Sequence, residues 1–196
     1  MKYMQDGGFQ NNPLMRLSLG LTLALLLGFW CTNVAMYFSR MSLRPASVVA
    51  YYNGSEEDFR PPRSAASMLE TTHTHLPMMG LVLLFLTHLA IFVPARPGVK
   101  KAFIAAAFGS AVLEEGAGWL VRFVSPAFAP LKIVGFLGLQ TVILGLVAGL
   151  GVFIVAGSRG RATRRKGPAE ARTRRPPAIG ETDAPVVASM STPAAR

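Results

Sequence analysis

The chain has few residues that could crosslink it or cover a water-exposed surface with charge. It contains one cysteine, Cys31, in 196 residues, so neither an internal disulfide nor a metal cluster held by cysteine alone can form within one chain. Only 15% of the residues are charged, whereas 51% are hydrophobic, and the mean hydropathy is positive. Soluble domains carry a larger charged fraction, about 25%. The composition therefore indicates an integral membrane protein.

Acidic residues are scarce as well, with ten Asp and Glu against twenty Lys and Arg and a formal net charge of +10. In a soluble protein such an excess would favour nucleic-acid binding. Here nine of the twenty basic residues follow residue 158, beyond the last apolar segment. We therefore expect no nucleic-acid partner, and we assign the cluster Arg164, Arg165 and Lys166 to anionic lipid head groups.

Motifs that identify common enzyme classes are missing. The sequence has no Gly-rich phosphate-binding loop, no nucleophile elbow and no histidine pair of the metalloprotease type. These absences favour a non-enzymatic protein, and no catalytic residue is predicted.

Four apolar stretches are long enough to cross a hydrocarbon core about 30 Å thick as helices. They are residues 17–38, 76–93, 102–124 and 133–156. The last two connections are short and contain Pro or Gly, so neighbouring spans must run antiparallel. The sequence predicts an all-α membrane protein, a four-helix up-down bundle. It has an N-terminal segment 1–16, an outer loop 39–75 and a basic tail 157–196, which lacks an apolar stripe and is expected to be disordered.

The distribution of Lys and Arg predicts the orientation of the spans. With the N-terminus inside, fourteen basic residues lie on the side of both termini and six on the other. We therefore expect a multi-pass protein of the bacterial inner membrane with both termini cytoplasmic. The six outer residues are Arg40, Arg44, Arg60, Arg63, Arg122 and Lys132. Arg122, Trp119 and the pair Tyr51 and Tyr52 are typical of interfacial anchors.

Two adjacent acids, Glu114 and Glu115, interrupt the third span. A carboxylate in hydrocarbon costs at least about 2.5 kcal/mol, so such residues face the bundle interior and are usually functional. Counting along the helices places Asn33 and Gln140 at a similar depth, all within about 15 Å of the outer surface. His88 lies toward the inner end of the second span, and a proton or cation pathway from Glu114 and Glu115 toward His88 is one possible function.

All three histidines occur within residues 70–90, where the outer loop meets the second span. Ser67 and Glu70 have the spacing of a capping box, which predicts a helix from about residue 68 that Pro77 kinks or restarts. The outer rim then carries imidazole, carboxylate and thioether groups, which suit copper or another transition metal. These groups belong to Glu70, His73, His75, Met36, Met78 and Met79. We predict an outward-facing site for a metal ion or cofactor, its charge neutralised by Glu114 or Glu115.

Two further interpretations remain open. The protein could be a redox subunit with a quinone site or one b-type haem. Because no other span contains histidine, a haem would need a methionine such as Met36 as its second axial ligand. The small extramembrane parts favour a subunit of a larger membrane assembly or a homo-oligomer, in contact with the lipid bilayer.

Overall fold

The computed structural model describes residues 12–57 and 59–173, with side chains described up to residue 156. The long helices are α1 (Pro13–Arg40), α3 (Ala65–Ala90), α4 (Pro97–Phe123) and α5 (Ala129–Thr173). A short helix α2 (Pro45–Asn53) and a 3₁₀ turn (Pro126–Phe128) complete the fold. The described part contains four helices long and apolar enough to cross a membrane, the fourth formed by Pro126–Ala156. The prediction of a four-span all-α membrane protein is confirmed.

The helices begin earlier than the apolar stretches because polar caps and prolines set their starts. Asn12 caps α1 by accepting a hydrogen bond from the amide of Leu14 at 3.0 Å. Ser64, rather than Ser67, caps α3, since its hydroxyl accepts from the Ser67 amide at 3.2 Å. The predicted start near residue 68 was therefore three residues late. Helix α3 runs without interruption through Pro77.

Helix α2 lies within the segment that the sequence analysis assigned to an outer loop. It begins with Pro45 at its first turn, a position where the missing N–H costs nothing, and it ends at Gly54, whose φ is +88°. Its apolar side chains Val48 and Tyr52 are buried. The sequence analysis predicted no helix at residues 45–53, because the tertiary contacts that stabilise so short a helix leave no long apolar run in the sequence.

Helix α2 packs against the end of α4. The amide of Asn53 donates to the carbonyl of Val121 at 3.3 Å. A Cβ at Gly118 would lie 2.7 Å from the Tyr52 hydroxyl, so the glycine allows the tyrosine ring to reach the α4 backbone. Next to α2, the guanidinium of Arg122 donates to the carbonyl of Arg63 at 2.8 Å. Arg122 thus anchors the segment that leads into α3.

The up-down arrangement gives the bundle two distinct ends. The α2 end contains α2 itself, the ends of α1 and α4 and the starts of α3 and α5. The hairpin end contains the start of α1 and the connection between α3 and α4, residues 91–96. Two hydrophobic clusters fill the interior, one along α3, α4 and α5 and one at the α2 end.

Helices α4 and α5 approach each other closely at Gly135. A Cβ there would lie 2.7 Å from the backbone nitrogen of Glu114, so only glycine lets the two helices meet at this distance. Helix α1 is more peripheral, with Leu23 and Tyr37 as its buried residues. Small residues thus bring α4 and α5 together, as is usual between membrane helices.

Helix α5 continues to Thr173, past residue 157, where the sequence analysis placed the start of a disordered tail. Residues 160–173 belong to a separate unit from the bundle and are helical. Arg and Ala make up seven of these fourteen residues and are good helix formers. The basic cluster 164–166 lies outside the residues with described side chains, and 1–11 and 174–196 lie outside the described residues altogether.

Candidate functional site in the cavity at the α2 end

A cavity of about 310 Å³ lies at the α2 end, between the four long helices and beneath α2. Most of its surface is apolar and comes from phenylalanine, methionine, leucine and isoleucine side chains, among them Phe29, Phe136 and Ile143. Two groups of polar side chains interrupt this surface. Cavities with this mixture of an apolar wall and a few polar groups are typical of small-molecule sites.

The first polar group, which we call the Glu115 cluster, consists of Thr72, His75, Glu115 and Trp119. The hydroxyl of Thr72 donates a short hydrogen bond to Glu115 Oε1 and accepts one from Trp119 Nε1 at 3.0 Å. On the other side, His75 Nδ1 lies 3.5 Å from Glu115 Oε2. Partners on both oxygens therefore fix the orientation of the carboxylate.

The second polar group, the Lys132 cluster, consists of Tyr37, Tyr52, Glu114 and Lys132. Lys132 forms an ion pair with the Glu114 carboxylate and donates to the Glu114 carbonyl at 2.8 Å. Its ammonium nitrogen also lies 5.9 Å from the centre of the Tyr52 ring, within range of a cation–π interaction. Lys132 is only 6% exposed, so the two opposite charges of the pair neutralise each other inside the bundle, away from water.

The hydroxyl of Tyr37 is a buried polar group that has no hydrogen-bond partner among the described residues. Tyr37 is 6% exposed, lines the cavity and stacks on Phe136 with 3.7 Å between ring centres. A buried hydroxyl without a partner costs about 1–3 kcal/mol. Nearby on α2, burial raises the pKa of the Tyr52 phenol, an effect that the charge of Lys132 partly offsets. Tyr52 is thus a neutral hydroxyl at physiological pH.

The structure brings together most of the residues that the sequence analysis singled out. Seven of them line the cavity, namely Asn33, Met36, His75, Met78, Met79, Glu114 and Glu115. The two acids face different partners, as expected for adjacent helical residues about 100° apart. Glu115 points to α3, whereas Glu114 pairs with α5.

Four predicted residues lie elsewhere. Glu70 and His73 are exposed, because Glu70 lies about 160° and His73 about 100° around α3 from Thr72. His88 is exposed near the hairpin end, about 20 Å along α3 from His75, and packs against the Phe92 ring. Gln140 is buried beside the cavity wall, its carbonyl accepts from Trp30 Nε1 at 3.0 Å, and its side-chain amide has no partner within the described part.

The placement of Glu70 and His73 separates them from His75. Within residues 12–57 and 59–173, no three His, Cys, Asp or Glu side chains converge as metal ligands do. A metal held in the cavity would therefore depend on thioether ligands rather than on the predicted group of Glu70, His73 and His75.

The sequence analysis missed five members of the two clusters: Tyr37, Tyr52, Thr72, Trp119 and Lys132. Lys132 was counted as a loop residue, although Pro130 stands in the first turn of α5, which begins at Ala129 and contains Lys132. Trp119 was assigned to an interfacial anchor, but it donates to Thr72 inside the bundle. Thr72 lies three residues before His75, which is the spacing of neighbours on one helix face. No sequence signal marks Tyr37.

These features define a multi-pass helical membrane protein with a mixed polar and apolar cavity between its spans. Residues 42–161, more than half of the chain, match the family model Aq_1264_TM, described as a transmembrane helical domain, and the chain belongs to this family. The match begins after α1 and contains both polar clusters except for Tyr37. Searches of curated proteins and of solved structures found no significant match.

Proposed function

We propose that the protein binds an amphipathic, lipid-soluble small molecule in the cavity at the α2 end. The observation that carries this proposal is the buried, unpartnered Tyr37 hydroxyl in a mainly apolar cavity that also presents the Glu115 cluster. A ligand with a polar head would satisfy the hydroxyl and bury its apolar body against the remaining wall. The quinone site that the sequence analysis left open is one case of this proposal, since quinones are amphipathic, lipid-soluble molecules.

The two clusters define the hydrogen bonds that the head group can make. A carboxylate offers about four acceptor positions, and Glu115 uses two of them for Thr72 and His75. An imidazole that donates through Nδ1 keeps Nε2 as an acceptor. Tyr37 supplies a donor. The head group is therefore expected to carry both a hydroxyl and a carbonyl or similar acceptor, as partly reduced quinone-type rings do.

The apolar body of the ligand has a path to the bilayer between α1 and α3. Met36 and Met78 line the cavity and are also 41% and 51% exposed on the outside of the bundle. Methionine side chains are flexible and adapt to ligands of varied shape. We propose that a lipid-soluble ligand enters between these two residues.

The test uses the full chain purified in mild detergent and a short-chain quinone as the probe. Binding is measured by quenching of tryptophan fluorescence, since Trp119 belongs to the Glu115 cluster. Tyr37→Phe and Glu115→Gln each remove one hydrogen-bonding group with little change of shape. Each is expected to weaken binding about tenfold, which corresponds to 1.4 kcal/mol.

Thr32→Val is the matched control, because Thr32 is exposed on α1, lies outside the cavity lining and donates its hydroxyl to the carbonyl of Phe29. It should bind the probe as the unmodified protein does. Equal binding by all four proteins, or no binding by any together with no lipid-soluble compound in an organic extract of the purified protein, would refute the proposal.

A second candidate function, binding of Cu(I), is favoured by the methionines of the same cavity. Met36, Met78 and Met79 line it together with His75. Thioethers and imidazole are ligands that Cu(I) accepts. His75, Met78 and Met79 are three and four residues apart on α3, so they lie on neighbouring positions of one helix face.

Metal analysis and a visible spectrum of the protein as purified separate the candidates. Stoichiometric copper that is lost in a Met78→Leu, Met79→Leu variant, with quinone binding retained, would support the copper site. A Soret band would instead support a b-type haem with His75 and Met36 as axial ligands. The absence of metal and haem, after anaerobic titration with Cu(I) as well, would remove this second candidate.

A further inference from the structure

A second pocket, of about 140 Å³, lies at the hairpin end, between the end of α3, the start of α4 and α5. Its wall is apolar and includes Val99, Phe103, Ile104 and Leu146. From Val99 to Ile104, it extends about 8 Å along α4. Apolar cavities of roughly this size, about 150 Å³, stay dry and accept apolar guests.

Positive charge surrounds the mouth of this pocket. Lys100 lines it, and its ammonium donates to the carbonyl of Ile91 at 2.6 Å. That hydrogen bond uses one of the three N–H donors of the ammonium group. Arg96, in the connection, and Lys101, near the start of α4, are exposed nearby, and residues 91–101 contain no acidic residue.

The floor of the pocket is open where α5 carries glycine. Within the described part of the chain, no atom outside the adjacent backbone of α5 lies within 4 Å of the position that a Cβ at Gly149 would occupy. At Gly145 the nearest atom, from the Phe103 ring, lies 3.2 Å away. A narrow apolar groove thus continues along α5 below the basic mouth.

We propose that this pocket binds a phospholipid with an anionic head group. The phosphate lies against Lys100, with Arg96 and Lys101 adding charge, and part of one acyl chain occupies the groove along Gly149. Charge complementarity selects the head group, since basic pockets between membrane helices attract anionic lipids. The apolar wall of the pocket contacts the acyl chain of the lipid. A soluble anion has no apolar part and would leave this wall uncovered.

The experiment is native mass spectrometry of the full chain in detergent with added phosphatidylglycerol or phosphatidylcholine. The unmodified protein should retain one phosphatidylglycerol at least tenfold more strongly than phosphatidylcholine. Lys100→Gln should abolish this preference. Gly149→Leu should reduce retention of both lipids at the site, because its side chain fills the groove.

Gly109→Leu is the control for Gly149→Leu: Gly109 also has no described atom within 4 Å of its Cβ position, but it lies outside the pocket. If Gly149→Leu does not fold, Val99→Trp at the mouth replaces it. Equal retention of the two lipids, unchanged retention in the groove-filling variant, or displacement of the lipid by inorganic phosphate at millimolar concentration would overturn the proposal.

Discussion

Glu114 and Lys132 place two opposite charges within the bundle, where little water reaches either group. The side chains are 14% and 7% exposed. Removing a charge from water costs several kcal/mol, and the attraction between partners offsets this cost only when their geometry is good. Lys132 meets the condition by bonding to both the carboxylate and the carbonyl of Glu114. The pair therefore stabilises the bundle only as long as both members are present.

Lys132→Met is expected to destabilise the protein by about 3–5 kcal/mol, because it leaves the Glu114 carboxylate buried without a counter-charge. Adding Glu114→Gln should recover most of the loss, since the double variant buries no charge. Thermal unfolding in detergent measures both effects. Lys101→Met, at an exposed position, serves as the control and should change the midpoint little. A double variant no more stable than Lys132→Met would contradict the account.

At the scale of elements, close packing of α4 on α5 depends on one glycine. Gly135→Ala would put a methyl group 2.7 Å from the Glu114 backbone, so the helices must separate. We expect a clear fall in the unfolding midpoint and a weaker Glu114–Lys132 contact. Gly116→Ala on α4 is the matched control, because no described atom lies within 4 Å of its Cβ position. It should be neutral or slightly stabilising, since alanine favours helix more than glycine does. Equal midpoints for the two variants would argue against a close contact at Gly135.

The sequence was sufficient to predict the helices whose length is set by the thickness of the hydrocarbon core. The four spans and their antiparallel order follow from apolar length and short connections, and both were found. Helix α2 was missed because it is nine residues long and stable through contacts with α4. Tertiary packing, rather than local pattern, provides most of the stability of so short a helix.

The site could be predicted only in part, because sequence gives the depth of a residue in the membrane better than its direction. The depth of Glu114 and Glu115 was enough to place them near His75 and the methionines. In a helix that is apolar on most sides, the buried face is weakly marked. For that reason the sequence analysis grouped Glu70 and His73 with His75, whereas in the structure these two are exposed and only His75 lines the cavity. Lys132 was missed because its helix begins before the apolar run does.

At the scale of the whole molecule, one prediction from the sequence is still untested, namely which end of the bundle faces the cytoplasm. An even number of crossings puts both ends of the bundle's chain on one side of the membrane, and the excess of Lys and Arg predicts that this side is the cytoplasm. The cavity at the α2 end would then face away from the cytoplasm, and the basic pocket at the hairpin end would face the cytoplasmic leaflet. The negative surface potential of that leaflet favours binding of anionic lipid there.

Single cysteines introduced into a Cys31→Ser background test this orientation in intact bacterial spheroplasts. Glu57→Cys lies in the exposed turn after α2, and Gly98→Cys lies at an exposed position in the first turn of α4, at the hairpin end. A membrane-impermeant thiol reagent should modify the first in intact spheroplasts and the second only after the membrane is opened. The reverse pattern would place the α2 end in the cytoplasm. The Tyr37 and Glu115 cavity would then receive its ligand from the cytoplasmic leaflet, and the pocket beside Lys100 would lose the lipid charge that favours it.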